Sequence, residues 1–356
     1  MRIAQVAPLY ESVPPKLYGG TERVVSYLTE ELVRQGHDVT LFASGDSTTS
    51  ARLYPACESA LRLSGVGASS ALAQHMLLIE RVAQQAFRFD MVHFHLDFMP
   101  FSVIRNGGFP AVTTLHGRQD LPGQFPLFAE FDDMNLVSIS DAQREAMPWA
   151  NWVATVHHGV PPRLYMPCKF GSSYLAFLGR ISPEKRVDRA VEIARRAGME
   201  LRVAAKVDAA DREYFETIRP TLEEPHVKFL KEIGDADKCA FLSNAAALLF
   251  PIDWPEPFGL VMIESLSCGT PVIAFRGGSV EEIIEDGVTG FIVDSVDEAV
   301  EAVERLGSID RRACRARFEQ RFSATRMCHD YVQVYRRVME ETTAASGPAL
   351  DEEAVA

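Results

Sequence analysis

Short apolar runs separated by longer stretches of helical periodicity organise the chain. In the first half the runs are RIAQVA, DVTLFA, MVHFH, AVTTLH, LVSIS and WVATV. Between the first two, TERVVSYLTEELVRQG places Val24, Tyr27, Leu28 and Leu32 on one side, and Gly36 stops it. Short apolar strands alternating with helices predict a parallel sheet covered on both faces. The pattern then restarts with SSYLAFLG, ELRVAAKV, VKFL, AALLFP, PVIAF and GFIV, spaced by helices such as PEKRVDRAVEIARRAG and DEAVEAVERLG. The segment HHGVPPRLYMPCKFG between the two sets is rich in Pro and Gly and reads as a linker.

The expected fold class is therefore α/β, with two Rossmann-like doubly wound domains facing a central cleft. Ligands of such sheets bind outside the C-terminal ends of the strands, which makes the cleft the expected active site. The predicted domains are residues 1–162 and 163–323. A helix over about 324–341 repeats Met327, Tyr331, Val334, Tyr335 and Val338 at helical spacing, an apolar face that needs a surface to cover. Residues 343–356 are small, polar and acidic, and are expected to be disordered.

Composition narrows the partners. The chain has 356 residues and a formal charge of −13, without the basic stripe that a phosphate backbone demands, so nucleic acid is excluded as a partner. No apolar run reaches the roughly 18 residues of a membrane span. The amphipathic stretch AQHMLLIERVAQQAFRF carries too few basic residues for stable membrane association, and MRIAQVAPLY reads as a strand rather than a leader. A cytoplasmic protein is expected. Its six cysteines lack metal-binding spacing and read as reduced thiols.

The candidate chemistry centres on LLFPIDWPEPFGLVMIESLSCGTPVIA, residues 248–274. It reads as strand, Pro-rich turn, helix and strand, with Glu256 in the turn, Gly259 at the helix start and Glu264 inside the helix. A helix start favours an anion, and at about 1.5 Å per residue Glu264 lies roughly 7 to 8 Å along from it. Among 49 acidic residues two glutamates eight apart arise by chance. The context lifts them: Pro255 and Pro257 stiffen the turn, and Gly259 permits close backbone approach. Two carboxylates bracketing a phosphate site suit a ligand with hydroxyls at both ends and phosphates between, the layout of a nucleotide diphosphate sugar. Strand YLAFLG ends at Arg180, and SPEKR is expected to open a helix with Ser182 as its cap. Arg180 and Lys185 would then flank a second anion-favouring start and neutralise a diphosphate leaving group.

In the first domain KLYGGTER places Gly19 and Gly20 before a helix, with Thr21 as a candidate cap, and it is not a dinucleotide fingerprint. Histidines gather at strand ends: His93 and His95 on one strand, His116 after another, His157 and His158 after a third. No carboxylate set completes a metal site around them, so no metal is expected. His116, followed by Arg118 and Asp120, is the best placed to touch a substrate.

These residues resemble glycosyltransferase family 4, retaining enzymes of the GT-B fold. The resemblance covers nearly the whole chain and rests on EPFGLVMIE followed by CGTPVIA, on FLGRISPEK, on YGGTERVV and on TTLHGRQDLP. It implies that Glu256 contacts the donor sugar and Glu264 the ribose. Arg180 and Lys185 would hold the diphosphate with the backbone of Phe258, Gly259, Leu260 and Gly20. His116 would sit beside the transferred sugar, and the backbone from Leu230 to Ile233 would meet the base. Arg118 and Asp120 become acceptor-side candidates, and the last helix would cross back onto the first domain. The chain departs from many members in having Arg186 and His158 where Gly and Asn are common. The LYGGTE and LHGRQDLP forms resemble a subgroup that uses UDP-glucose and small soluble acceptors.

The expected function is hexosyl transfer, glucosyl in particular, from a nucleotide diphosphate sugar to an acceptor hydroxyl. It proceeds with retention, by a front-face route without metal or cofactor. The rivals are a nucleotide-sugar epimerase and a non-catalytic sugar-nucleotide sensor.

Overall fold

All twelve apolar runs named above form strands. In the computed structural model, which describes residues 1–16, 19–62, 64–167 and 174–346, they build two parallel sheets. The first holds β1 (Arg2–Val6), β2 (Asp38–Ser44), β3 (Arg52–Cys57), β4 (Met91–Phe94), β5 (Ala111–Thr114), β6 (Leu136–Ser138) and β7 (Trp152–Thr155). Their order is β3-β2-β1-β4-β5-β6-β7. The second holds β8 (Tyr174–Arg180), β9 (Glu200–Lys206), β10 (Val227–Lys231), β11 (Ala245–Phe250), β12 (Val272–Phe275) and β13 (Gly290–Val293), in the order β10-β9-β8-β11-β12-β13. The pattern had not revealed β3. It is an edge strand, mostly half-exposed, with Pro55 inside it, so it lacks a continuous apolar run.

In each sheet the chain turns about one strand: β1 lies between β2 and β4, and β8 lies between β9 and β11. These are the switch points where the connections leave on opposite faces and open a crevice at the strand C-termini. The helix Gly20–Arg34 follows β1 and buries Val24, Leu28 and Leu32 completely. It is capped by Gly19 rather than Thr21, which lies inside the first turn.

The chain returns to the first domain after the second sheet is complete. Val160 and Ala324 exchange backbone hydrogen bonds with Phe322 and Val160 (2.9 Å each). A Cβ on Gly159 would lie 2.4 Å from the Ser323 carbonyl oxygen, so only glycine lets the two crossings touch. The helix Ala324–Ser346 then packs on the Gly20–Arg34 helix and on β5. Met327, Tyr331, Val334, Tyr335 and Val338 are all buried there. The helix continues past the expected end at 341 into the stretch read as a tail, and residues 347–356 of that tail lie outside the described residues. Among the described residues no helix is long and apolar enough to cross a membrane. The described cysteines are free, with Cys268, Cys314 and Cys328 buried and Cys57 and Cys239 half-buried, while Cys168 lies outside the described residues.

Candidate active site

A cavity of about 300 Å³ lies between the two sheets, lined by Gly19, Gly20 and His116 from one domain and by Arg180, Lys185, Glu256 and Glu264 from the other. Each lining segment follows the C-terminal end of a strand: Gly117 after β5, Arg180 on β8, Lys206 on β9, Ile252 and Trp254 after β11.

The stretch 248–274 folds as its pattern predicts. β11 ends at Phe250, Gly259 caps the helix Leu260–Ser267 with φ 77°, and Gly269 (φ 69°) ends it before β12. Only glycine occupies the left-handed region without strain, and a Cβ at Gly259 would also strike Met262 and Phe250. The Glu256 carboxylate is buried and accepts from Trp254 Nε1 (2.8 Å) and from Lys185 Nζ. Glu264, also buried, accepts from Lys238 Nζ (3.1 Å) and the Tyr165 hydroxyl (3.4 Å). Both carboxylates thus line one cavity, on either side of the helix start, with lysine ammoniums beside them.

The turn after β8 differs from the expectation. Pro183–Lys185 is a single 3-10 turn with Ser182 at its N-cap position, the α-helix begins at Val187, and the Ser182 side chain makes no capping bond. Arg186 causes the break, because its backbone is left-handed at φ 51°, ψ 51°. Glycine, which the resemblance puts at this position in many members, would adopt this conformation without strain. The Arg186 guanidinium bonds Asp188 (2.8 Å) and Asp253 (2.9 Å) and points its charge at them. Arg180 sits among Glu184 (2.5 Å), Asp211 (3.6 Å) and Asp208 (3.9 Å). An anion entering here would therefore exchange with carboxylates rather than meet a bare cation.

Two predicted residues fall outside the cavity lining. Leu230 is the extra residue of a bulge between Phe229 and Lys231 on edge strand β10, which turns its side chain outward to 44% exposure. Ile233, three residues on, does line the cavity, as do Phe258 and Leu260. Asp120 lies in a smaller adjoining hollow and pairs with Arg118 (2.5 and 2.7 Å), whose guanidinium is 5.8 Å from the Trp254 ring centre.

His116 lines the cavity from the first domain and stacks on His158, with ring centres 5.3 Å apart and planes at 19°. Burial lowers the His116 pKa to about 3 and holds His93, His95 and His158 well below the usual imidazole range, so all four are neutral. His157 instead reaches Glu282 of the second domain (2.8 Å), which also accepts from the Asp141 and Ala142 backbones. Ser140 donates to the Pro257 carbonyl (2.7 Å), tying the Glu256 turn to the first domain.

Sequence reasoning missed several participants. Arg23, inside the quoted YGGTER motif, lines the cavity and pairs across the domain boundary with Asp235. Trp254 holds Glu256, and its only signal was an aromatic residue inside a Pro-rich turn. Gly278 shapes the same turn: at φ 53°, a Cβ there would lie 2.2 Å from the Glu256 carbonyl oxygen.

The domain on each side of the cavity matches its own family model. Residues 18–160 match that described as Glycosyltransferase Family 4, and residues 170–321 that described as Glycosyl transferases group 1. The chain is 28% identical over 191 residues to a Mycolicibacterium smegmatis D-inositol 3-phosphate glycosyltransferase, covering 47% of this chain and 41% of that protein. It is 23% identical over 367 residues to the Bacillus anthracis N-acetyl-alpha-D-glucosaminyl L-malate synthase, covering 91% and 95%. It spans less than half the length of the D-inositol 3-phosphate glycosyltransferases that it matches. Among solved structures it superposes on AviGT4, a glycosyltransferase involved in avilamycin A biosynthesis, with a TM-score of 0.72 at 25% identity, covering 95% and 98%. Anabaena HepE in complex with UDP and glucose gives 0.74 at 18% identity, covering 95% and 100%. With a matching model for each domain and likeness to these structures through both sheets, the chain belongs to glycosyltransferase family 4 and has the GT-B fold.

Proposed function

We propose that this protein transfers a hexosyl group, glucosyl from UDP-glucose in the first instance, to a hydroxyl of a small soluble acceptor with retention of configuration. The carrying observation is that Glu256 and Glu264 face one cavity on either side of the Leu260 helix start, with Lys185 and Arg180 beside it. In this reading Glu264 takes the ribose hydroxyls, and the helix start with Arg180 and Lys185 takes the diphosphate. Glu256 takes the sugar hydroxyls, and His116 faces the sugar from the first domain. Arg118 and Asp120 lie toward the acceptor.

The bond from the sugar's anomeric carbon to the diphosphate oxygen breaks while the bond to the acceptor oxygen forms on the same face. The acceptor proton passes to the departing phosphate oxygen, and UDP leaves. Arg180 and Lys185 stabilise the charge that develops there, the main requirement of such a step. Glu256 is engaged by Lys185 and Trp254, which suits holding hydroxyls better than covalent attack.

The test follows UDP-glucose by NMR with and without a pooled acceptor set. Glycosyl product with UDP release supports transfer. Conversion of the donor without acceptor indicates epimerisation, and binding with no turnover indicates a sensor.

A further inference from the structure

Behind the cavity the first domain carries a continuous chain of buried polar side chains that starts at His116. His95 Nδ1 lies 2.8 Å from His116 Nε2, and His95 Nε2 lies 3.0 Å from Gln5 Oε1. Gln5 Nε2 donates to the Tyr335 hydroxyl (3.0 Å), which is 2.8 Å from His93 Nδ1. His93 Nε2 reaches Thr114 Oγ1 (2.7 Å), and the Thr114 hydroxyl continues to the Tyr331 hydroxyl (2.9 Å). Gln5, His93 and Thr114 lie on the adjacent strands β1, β4 and β5, and His95 follows β4; Tyr335 comes from the crossing helix, 330 residues after Gln5.

The protons in this chain can be counted. Burial keeps the three imidazoles neutral, so each ring carries one N–H. A carbonyl oxygen only accepts, so His95 holds its proton on Nε2 and accepts through Nδ1. His116 must then hold its proton on Nε2, which leaves a lone pair on Nδ1. That Nδ1 is buried and has no hydrogen-bond partner among the described residues. In the other direction the Gln5 amide donates to Tyr335, the Tyr335 hydroxyl donates to His93 Nδ1, and His93 Nε2–H donates to Thr114. Each of these three donors meets an acceptor. Turning the Gln5 amide over would reverse every proton and present an N–H at His116 Nδ1.

We propose that Gln5, His95 and Tyr335 are positioning residues that hold His116 as its Nε2–H tautomer, so that Nδ1 accepts a hydrogen bond from a hydroxyl of the bound sugar. The proposal rests on the cavity being a sugar-nucleotide site. It gives the crossing helix a part in substrate recognition: its Tyr335 hydroxyl accepts from Gln5 and donates to His93, and so couples the amide to the His93 ring. A site of this polarity selects for a hydroxyl at the matching sugar position and against an analogue that lacks it.

The experiment reads tautomers directly. In protein carrying ¹⁵N-labelled histidine, long-range ¹H–¹⁵N correlation should show His116 in the Nε2–H form without any ligand. Gln5→Leu and Tyr335→Phe should each turn it into a mixture, and should lower kcat/KM for UDP-glucose about threefold to tenfold, the scale of one hydrogen bond. UDP binding should be unchanged in both. UDP-glucose should move the wild-type Nδ1 resonance, and UDP alone should not. An Nδ1–H wild type, or a tautomer unaltered in both variants, overturns the proposal, and the wild-type spectrum decides even if a variant fails to fold. A wild type in the Nε2–H form whose Nδ1 ignores bound UDP-glucose overturns the sugar contact. Absence of any sugar-nucleotide binding by calorimetry would instead mark failure of the donor-site reading.

Discussion

Lys185 donates through Nζ to Glu256 Oε2, joining residues 71 positions apart in the lining of the cavity. The same ammonium lies 5.0 Å from the centre of the Trp254 ring, whose Nε1 donates to the same carboxylate oxygen. Thus the residue assigned to the diphosphate and the residue assigned to the sugar hold each other in the ligand-free protein. In the proposed reading a nucleotide sugar would part them and replace both halves of the pair.

That pairing makes the two residues interdependent. Glu256→Gln and Lys185→Met should each lower kcat/KM for UDP-glucose by about 100-fold or more, the scale of a lost transition-state contact. The double variant should lose much less than the product of the two, because each single change also strands its partner. Steady-state UDP release measures this, and full additivity would show that the pair does not act as a unit.

Gly278 should be intolerant although it does not line the main cavity. Alanine there places a Cβ 2.2 Å from the Glu256 carbonyl oxygen at a φ of 53°. Gly278→Ala should cost about 1 to 3 kcal/mol by overpacking and displace the Glu256 turn, weakening UDP-glucose binding more than UDP binding. Gly307→Ala, where nothing lies within 4 Å, should change neither. Calorimetric titration and thermal melts of both variants make the comparison.

At Arg186 the backbone and the side chain pull in opposite directions. Arg186→Gly relieves a left-handed conformation worth about 1 to 2 kcal/mol and loses ion pairs worth about 0 to 1 kcal/mol each at a partly exposed site. The two effects nearly cancel, so urea midpoints should move little. Arg186→Val keeps the strain, adds β-branching and loses the pairs, and should destabilise by about 2 kcal/mol. A strongly destabilised glycine variant would contradict this balance.

Acid should act through the buried histidines. Their folded pKa values are depressed, that of His116 to about 3, below the roughly 6.5 of an unfolded chain. The stability they contribute is fully present above pH 6.5. As pH falls from there toward about 3 the unfolded state takes up protons that the folded state refuses, and stability is lost at roughly 1.4 kcal/mol per pH unit per histidine. Melting temperature should fall from pH 6.5 to 5 and stay level above 7. A curve level from 7 down to 5 would mean that these rings are already charged or exposed.

Much of this molecule is legible in the chain. Twelve strands declare themselves because buried parallel strands are continuous apolar runs, and the helix Leu260–Ser267 because Gly259 and Gly269 mark its two ends. Glu256, Glu264, Arg180 and Lys185 could be named because each follows a strand end or helix start, where local geometry sets a side chain's place. The edge strand β3 was hidden, since half-exposed strands carry no apolar run. Thr21 was misread as a cap because the helix already starts at Gly20, and Ser182 takes the N-cap position of the Pro183–Lys185 turn without a side-chain capping bond.

Only the tertiary structure decided what meets across long sequence separations. It placed Lys185 on Glu256, Arg23 on Asp235, Gly278 under the Glu256 turn and Tyr335 beside Gln5. It also moved Leu230 out of the cavity through a bulge that periodicity cannot show. Local order follows from which neighbours along the chain are apolar or conformationally free, and a sequence displays those. Ion pairs, stacked rings and proton order depend on distances between elements that packing alone sets.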